Sequence, residues 1–404
     1  MTLSNGLRVI HQSSDSNVVY CGYELNVGTR NEEPGYEGMA HFCEHVSFKG
    51  TKRRKSWHIS NALESVGGDL NAYTNKEDTV YYAAVLKEHT ARAIDLLTDI
   101  VFYSTYPQAE IDKEVEVICD EIESYNDSPA ELIYDEFENL LFANHALGHN
   151  ILGTAERVRS FKTADAQRFT QRYYRPENSI FFLYGDVDFK RVVRLLERAT
   201  SDFAPSKPII EPALNQPLPL NMPDFIEKNQ GTHQAHVMVG TRGYDIHDKR
   251  RMSLYLLNNL LGGPGMNARL NLSLRERHGL VYTVESSMVS YCDTGVWAIY
   301  FGCDPKDVGR CLKLVRKELD RVIQKPLSDT QLRAVKKQIK GQIGVACDNR
   351  ESFALDFGKS YLHYGWERDL NSLFRHIDEV TAESMQQVAA ELMQQERLTT
   401  LVID

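Results

Sequence analysis

The hydrophobic positions along the chain fall into two kinds of run. Short runs rich in β-branched and aromatic residues, which predict strands, are CGYELNVG (21–28), TVYYAAVL (79–86) and SIFFLYG (179–185). Longer runs with apolar residues three and four positions apart, which predict helices, are HISNALESV (58–66), EHTARAIDLLTDIVF (88–102) and QAEIDKEVEVICDEIESY (108–125). Strand pairs followed by helices predict an α+β fold, in which a mainly antiparallel sheet is covered by helices.

A proline-rich segment separates two parts of the chain. Six of the 13 prolines lie between residues 205 and 223, a density that excludes helix and central strand. We therefore predict a first half at 1–204, a linker at 205–223 and a second half at 224–404. VGTR occurs at 27–30 and again at 239–242, and each half ends with a helical run followed by a strand-like run. This repetition predicts two homologous halves.

Composition narrows the functional classes. The 404 residues carry a formal net charge of −10, which argues against nucleic acid or an anionic membrane as a partner. No run approaches the roughly 18 apolar residues of a membrane-spanning helix, and the first residues show no basic start followed by an apolar block. The seven cysteines follow no paired pattern, which fits a reducing compartment. We expect a bacterial cytoplasmic protein, with an organellar matrix as the alternative.

The segment GMAHFCEHVSFKGT (38–51) carries the candidate chemistry. His41 and His45 are four positions apart, so on a helix both imidazoles lie on one face, with Glu44 beside them. Two nitrogen donors and an unligated carboxylate suit a hydrolytic Zn²⁺ site, in which Glu44 takes a proton from the attacking water. The equivalent positions of the second half, 212 residues later, carry a serine and two leucines in RMSLYLLNNLLGG (251–263). Because the second half has this helix without the three polar residues, the fold itself does not need the His-Glu-His cluster.

A third zinc ligand is expected from the helical run 109–125. Residues that share one face at spacings of three, four and seven are Glu114, Val117, Ile118 and Glu121. Acids that fall on other faces, and are expected to face solvent, are Glu116, Asp120 and Glu123. Spacing alone leaves Glu114 and Glu121 as equal candidates.

The motif and the later helix together resemble the inverzincin metallopeptidases, the group of pitrilysin, insulin-degrading enzyme and the mitochondrial processing peptidase. H-x-x-E-H at 41–45 matches their motif, and E-V-E-V-I-C-D-E-I at 114–122 matches their third-ligand helix. The resemblance spans nearly the whole chain and implies the short two-domain branch, with a processing-peptidase-like metallohydrolase fold. It also implies one Zn²⁺ per chain, bound by the two histidines and Glu121 and supported by Glu114.

The same resemblance implies how a peptide substrate is held. GDLNAYTN (68–75) resembles the substrate-binding edge strand of the family, which pairs with an extended peptide backbone. LGGPGMNARLNLSLRERHGLVYTV (261–284) resembles the stretch that carries the family's Arg and Tyr. These are Arg275 and Tyr282 here, and they would hold the substrate and its developing oxyanion. The edge-strand residues expected to bind substrate are Asn71, Ala72 and Tyr73.

These features predict a zinc metalloendopeptidase that cuts unfolded or extended peptides, and the resemblance implies that it does so inside a clamshell chamber formed by a homodimer. Two alternatives stay open: a non-catalytic scaffold of a larger complex, which the family also contains, and a metal-binding or peptide-binding module without turnover. Glu44 argues against a pure binding site, which has no need of an unligated carboxylate beside the metal. His145 and His149, in NHALGHN, are predicted to lie in a loop without a metal role.

Overall fold

The computed structural model describes residues 1–209, 217–218, 222–365 and 369–404. The strands are β1 (Arg8–Gln12), β2 (Val18–Leu25), β3 (Asp69–Thr74), β4 (Thr79–Leu86), β5 (Ser179–Tyr184), β6 (Phe225–Lys228), β7 (Ala235–Gly243), β8 (Val281–Ser290), β9 (Gly295–Cys303) and β10 (Thr399–Ile403). The helices of the first half are α1 (Met39–Ser47), α2 (Ser56–Glu64), α3 (Thr90–Phe102), α4 (Gln108–Asn126), α5 (Pro129–Leu141), α6 (Ala155–Ser160), α7 (Thr163–Tyr173) and α8 (Phe189–Ala199). Those of the second half are α9 (Arg251–Gly262), α10 (Val308–Gln324), α11 (Asp329–Ala346), α12 (Arg350–Tyr364), α13 (Leu370–Glu379) and α14 (Ala382–Leu392), with a π-helical turn at Asn271–Glu276. The six runs predicted as strands or helices are confirmed as β2, β4, β5, α2, α3 and α4.

The strands of the described residues form two five-stranded sheets with the same topology. The first has the order β1-β5-β2-β4-β3, and the second has the order β6-β10-β7-β9-β8. In each sheet the first-named pair is parallel and the remaining pairs are antiparallel. The prediction of two homologous α+β halves, each with a mainly antiparallel sheet, is therefore confirmed.

Both faces of the first sheet are covered, which explains why β4 is apolar at consecutive positions. Successive side chains of a strand point to opposite faces. Tyr81 and Ala83 join the apolar cluster formed with α1, α3 and α4. Val80 and Tyr82 pack on the other face, in the cluster that contains Phe357 of α12. The sheet that carries the edge strand β3 is therefore packed on both of its faces.

The chain divides into two compact units, and each unit includes a helix from the other half of the sequence. The unit of the first sheet takes in α12, and the unit of the second sheet takes in α5. Ile133 and Phe137 of α5 are fully buried in a cluster with Met238 of β7 and Leu401 of β10. The division by packing is thus more interleaved than a division by sequence position.

The second half keeps the framework without the polar cluster of the first. At the positions 212 residues after the histidines and Glu44, the side chains of α9 are buried in the core. The two VGTR matches are not equivalent in the fold, because 27–30 follows β2 whereas 239–242 lies within β7. The shared sheet topology, and not this match, is the evidence for duplication.

Two further sequence predictions concern the linker and the membrane. In the predicted linker, residues 210–216 and 219–221 lie outside the described residues, and the other positions of 205–223 are neither helix nor strand. None of the helices within the described ranges combines the length and the apolar character needed to span a bilayer.

Candidate active site

A buried carboxylate, Glu32, binds the N-terminal end of α1 and orients the helix. Glu32 accepts hydrogen bonds from the backbone N–H groups of Gly38 (2.9 Å) and Ala40 (2.7 Å), which are donors that the first turn of a helix leaves unpaired. His149 Nε2 lies 2.8 Å from the same carboxylate. Gly38 has a φ of 95°, and a Cβ there would meet the carbonyl oxygen of Leu152 at 2.8 Å. The position and direction of α1 therefore depend on residues outside its own sequence.

Two imidazoles and one carboxylate converge in the unit of the first sheet. His41 Nε2 lies 3.7 Å from Glu121 Oε1, and His45 Nε2 lies 3.3 Å from Glu121 Oε2. One ligand atom from each of these three side chains lies within 4.8 Å of the other two. Two ligands about 2.0–2.1 Å from a tetrahedral zinc ion are about 3.4 Å apart. The three side chains therefore fit a zinc ion both in donor type and in spacing.

A second carboxylate stands behind His45. His45 Nδ1 lies 3.0 Å from Glu114 Oε1, and Lys49 Nζ lies 2.6 Å from Glu114 Oε2. A donor–acceptor contact of this kind at Nδ1 fixes the imidazole tautomer that leaves Nε2 free for a metal. Glu114 therefore contacts the His45 ring at the nitrogen other than Nε2, and its support of a metal ligand stays a prediction.

Glu44 is buried beside the cluster and is held by the edge strand. Its Oε2 accepts a hydrogen bond of 2.7 Å from the hydroxyl of Thr74, the last residue of β3. Both side chains are largely shielded from solvent. Burial raises the pKa of Glu44, and the hydrogen bond from Thr74 acts in the opposite direction. Glu44 is thus a carboxylate with a raised proton affinity and one fixed oxygen, which suits a general base.

The charges of the cluster are arranged around His45. Burial and then the neighbouring His45 lower the pKa of His41 to about 4, so His41 is neutral. Burial also opposes protonation of His45, but its hydrogen bonds to Glu114 and Glu121 outweigh burial and raise its pKa to about 9. The hydrogen bond to His45 in turn lowers the pKa of Glu121. Glu114 and Glu121 thus stabilise the protonated, positively charged form of His45. A metal ion bound at His45 would displace that proton and take over the positive charge.

The buried face of α4 differs from the predicted one. Its buried residues are Ile111, Glu114, Val115, Ile118, Cys119 and Ile122. Val117, which the spacing placed on the ligand face, is 52% exposed. The acids predicted to face solvent, which do so, are Glu116, Asp120 and Glu123. At about 100° per residue, Glu114 and Glu121 lie at the border of the buried face, and Val117 lies beyond it.

The predicted substrate strand is an edge strand. β3 is the last strand of its sheet and pairs with β4 on one side. Asn71 is exposed, and Ala72 and Tyr73 are half-buried. The location that peptide addition requires is therefore present, while the pairing with a peptide stays a prediction.

Arg275 and Tyr282 belong to the unit of the second sheet, and each lies at an irregularity of the backbone. Arg275 is exposed on the π-helical turn, a conformation that is rare and frequent at functional sites. Tyr282 is 82% exposed on β8, where the pairing register with β9 shifts between Val281 and Val284. A bulge of this kind redirects a side chain out of the sheet. Neither side chain is held by a hydrogen bond or an ion pair to a described residue.

Sequence reasoning missed three members of the site. Glu32 and His149 position α1, and Thr74 holds Glu44, through contacts between residues that are 6 to 117 positions apart. The loop prediction for 145–149 is confirmed. In the sequence, His149 is only a polar residue within a predicted loop. That does not reveal its contact with Glu32, so the role of His149 could not be predicted.

Comparison with known proteins gives matches over most of the chain. The family model described as insulinase (peptidase family M16) matches residues 8–155, and the model described as peptidase M16 inactive domain matches residues 160–339. An uncharacterized zinc protease of Streptomyces coelicolor is 33% identical over 97% of this chain and 86% of its own length. An uncharacterized zinc protease of Bacillus subtilis is 30% identical over 99% of this chain and 97% of its own length. The mitochondrial-processing peptidase subunit beta of Bos taurus is 31% identical over 96% of this chain and 80% of its own length.

Solved structures share the fold. A protease from Helicobacter pylori superposes with a TM-score of 0.91 at 22% identity, covering 100% of this chain and 98% of the other. A peptidase M16 inactive domain from Pseudomonas fluorescens superposes with a TM-score of 0.90 at 17% identity, covering 100% of this chain and 97% of the other. At these identities the likeness establishes the fold alone.

Proposed function

Because the chain belongs to the insulinase family of zinc proteases, peptidase family M16, we propose that it is a zinc-dependent endopeptidase of unfolded or extended peptides. The observation that carries the proposal is the pairing of a zinc-compatible donor set with a separate, buried carboxylate. His41, His45 and Glu121 supply the donors, and Glu44 is free of that set and hydrogen-bonded to Thr74. A site that only binds metal has no use for such a base.

The chain's own residues divide the work of hydrolysis between them. When bound, zinc would supply Lewis-acid chemistry that polarises a carbonyl and makes a water more acidic. Glu44 accepts the proton of the attacking water through the oxygen that Thr74 leaves free, and later returns it to the leaving amine. Glu114, anchored by Lys49, keeps the imidazole of His45 in the ligating orientation.

The proposal extends to the substrate. An extended peptide would add to the free edge of β3 by main-chain hydrogen bonds, with Asn71, Ala72 and Tyr73 as the binding positions. Arg275 and Tyr282 are proposed to hold the peptide backbone and the developing oxyanion, because an oxyanion needs preorganised donors and a nearby cation. Their exposure and their unusual backbone settings support a binding role over a packing role.

The test is cleavage of a quenched library of unstructured peptides by zinc-loaded wild type and by Glu44→Gln. We expect the wild type to cut and the variant to bind zinc without cutting. Glu123→Gln, the same chemical change at an exposed position of α4, serves as the matched control and should cut normally. If the wild type is fully loaded with zinc and does not cut, the alternative of a non-catalytic scaffold or peptide-binding homologue replaces the peptidase proposal.

Assembly and location are also proposals. We propose a homodimer with one zinc ion per chain. Because one chain carries both the metal-binding half and the half with Arg275 and Tyr282, a second, different subunit is not needed to complete the site. Sedimentation velocity over a range of protein concentrations tests the homodimer, and a single monomeric species throughout would refute it. A bacterial cytoplasm is proposed as the compartment, with an organellar matrix as the alternative, and cell fractionation distinguishes them.

A further inference from the structure

A basic cavity lies in the unit of the second sheet, and no residue assigned a role above is part of its lining. It has a volume of ≈ 540 Å³ and opens between the residues that flank the π-helical turn and the end of α10. The charged side chains that line it are Arg269, Arg277, Arg321, Lys325 and one acid, Glu318. Four cations against one carboxylate is an unusual local balance in a chain whose formal net charge is −10.

The cations of the cavity are largely unneutralised. Among the described residues of the lining, one ion pair is formed, between Arg321 Nη1 and Glu318 Oε1 at 2.6 Å. Within the described ranges, the side chains of Arg269, Arg277 and Lys325 make no hydrogen bond or ion pair. Burial lowers the pKa of Arg269; the nearby Glu318 opposes this change, and Arg321 adds a smaller lowering. A partly buried guanidinium next to a second cation is unfavourable until an anion compensates it.

The backbone around the cavity does not supply that compensation. The cavity is bordered by the last turn of α10, whose carbonyl end is negative, and by the first turn of α11, whose amide end is positive. Because these two helix ends carry opposite partial charges, the side chains, four cations against one carboxylate, are the main indication of an anionic ligand. Guanidinium groups present a planar fork that matches phosphate oxygens in a bidentate arrangement.

The size and the apolar lining restrict the ligand further. The volume is within the usual range for a small-molecule site, and the apolar lining consists of Leu272, Pro326 and Leu327, without an aromatic side chain. A nucleobase would therefore find no stacking surface. We propose that the cavity binds a free inorganic oligophosphate, with Arg269 and Arg321 as guanidinium ligands and Arg277 and Lys325 completing the charge balance. This inference is independent of the peptidase proposal.

The test is isothermal titration of the zinc-loaded full chain with pyrophosphate near physiological ionic strength. One saturable site per chain is expected, and sulfate at equal ionic strength should compete weakly. Arg321→Gln and Lys325→Gln remove exposed cations of the lining, so folding should be retained, and the double variant should lose at least about tenfold in affinity. Thermal unfolding of each variant verifies folding.

Arg310→Gln is the matched control, because it removes the same charge from the same helix. Arg310 lies eleven residues before Arg321, roughly 16 Å along the axis of α10, and does not line the cavity. It should bind pyrophosphate as the wild type does. The proposal is overturned if no saturable binding is found, or if Arg310→Gln loses as much affinity as the cavity variants. It is also overturned if the heat persists in the double variant, since pyrophosphate would then be binding elsewhere, such as at the zinc ion.

Discussion

Removing the hydrogen bond from Thr74 to Glu44 should impair the proposed base without affecting the predicted zinc ligands. Thr74→Val keeps the β-branched shape of the side chain and removes only the hydroxyl that donates to Glu44 Oε2 at 2.7 Å. The three predicted zinc ligands are untouched by the change. We therefore expect full zinc occupancy together with impaired turnover.

The magnitude follows from the kind of hydrogen bond that is lost. A hydrogen bond to a charged group contributes about 1.5–3 kcal/mol. If this energy is expressed in the transition state, kcat falls between about 10-fold and about 150-fold. KM should change little, because Thr74 is buried and is proposed to act through Glu44 alone.

The pH dependence gives a second readout with a defined sign. Burial already raises the pKa of Glu44, and the Thr74 hydroxyl counteracts that rise. Without the hydroxyl the pKa rises further. Since the ionised carboxylate is the active base, the acidic limb of kcat/KM should move to higher pH in Thr74→Val.

Steady-state cleavage of a quenched peptide, measured across pH with zinc content determined in parallel, is the assay. Thr74→Ser restores the hydroxyl and should recover most of the activity. Thr98→Val removes a buried hydroxyl of α3 that has no contact with the cluster, and should leave kcat unchanged. A Thr74→Val enzyme with wild-type kcat and an unshifted acidic limb would refute the positioning role.

Three further predictions concern zinc affinity, the loss of folding stability at acidic pH, and the packing of α12 against the first sheet. Glu114→Gln should weaken zinc affinity by about 10- to 100-fold, because the neutral amide no longer polarises the His45 imidazole; competition with a zinc-responsive dye measures this. Asp78→Asn should destabilise the protein by about 1.5–3 kcal/mol near neutral pH, measured by urea unfolding. Burial alone would raise the pKa of Asp78, but Lys359 and His363 outweigh it and hold that pKa far below its usual range. The contribution is therefore present above the unfolded-state pKa of about 4 and is lost as the pH falls. Phe357→Ala should cost about 3–5 kcal/mol, because its ring is fully buried against the first sheet.

Each of these predictions has an outcome that contradicts it. Unchanged zinc affinity in Glu114→Gln would show that the carboxylate does not orient the ligand. A stability difference between wild type and Asp78→Asn that persists at acidic pH would exclude the ion cluster as its source. Val345→Ala, an exposed apolar position of α11, should change stability by less than about 0.5 kcal/mol, and a Phe357→Ala effect as small as this would contradict the packing of α12.

The regular elements were predictable because their side chains repeat with the period of the backbone. β4 has the bounds of the run TVYYAAVL, and α4 covers the run that begins at Gln108. The face of α4 was predicted less accurately, because the carboxylates Glu114 and Glu121 interrupt its apolar stripe. Glu114 is buried through its contact with His45 and Lys49, which spacing cannot reveal, and Val117 is exposed although it is apolar.

The tertiary contacts of the site were beyond the sequence. The local spacing of His41, Glu44 and His45 identified one helix, and the resemblance supplied Glu121 from a distant one. Thr74 and Glu32 lie in segments whose own patterns predict only a strand and a loop. The exchange of α5 and α12 between the units has the same cause, because hydrophobic period identifies an apolar face but not the sheet that covers it.

The proposed hydrolytic site requires one zinc ion held by His41, His45 and Glu121. X-ray absorption at the zinc edge of the purified, zinc-loaded protein measures the ligand atoms and their distances. We predict one zinc per chain with two imidazole nitrogens and carboxylate or water oxygens at about 2.0–2.2 Å. Sulfur at about 2.3 Å in the first coordination sphere, or a single imidazole, would contradict the ligand set and with it the proposed hydrolytic site.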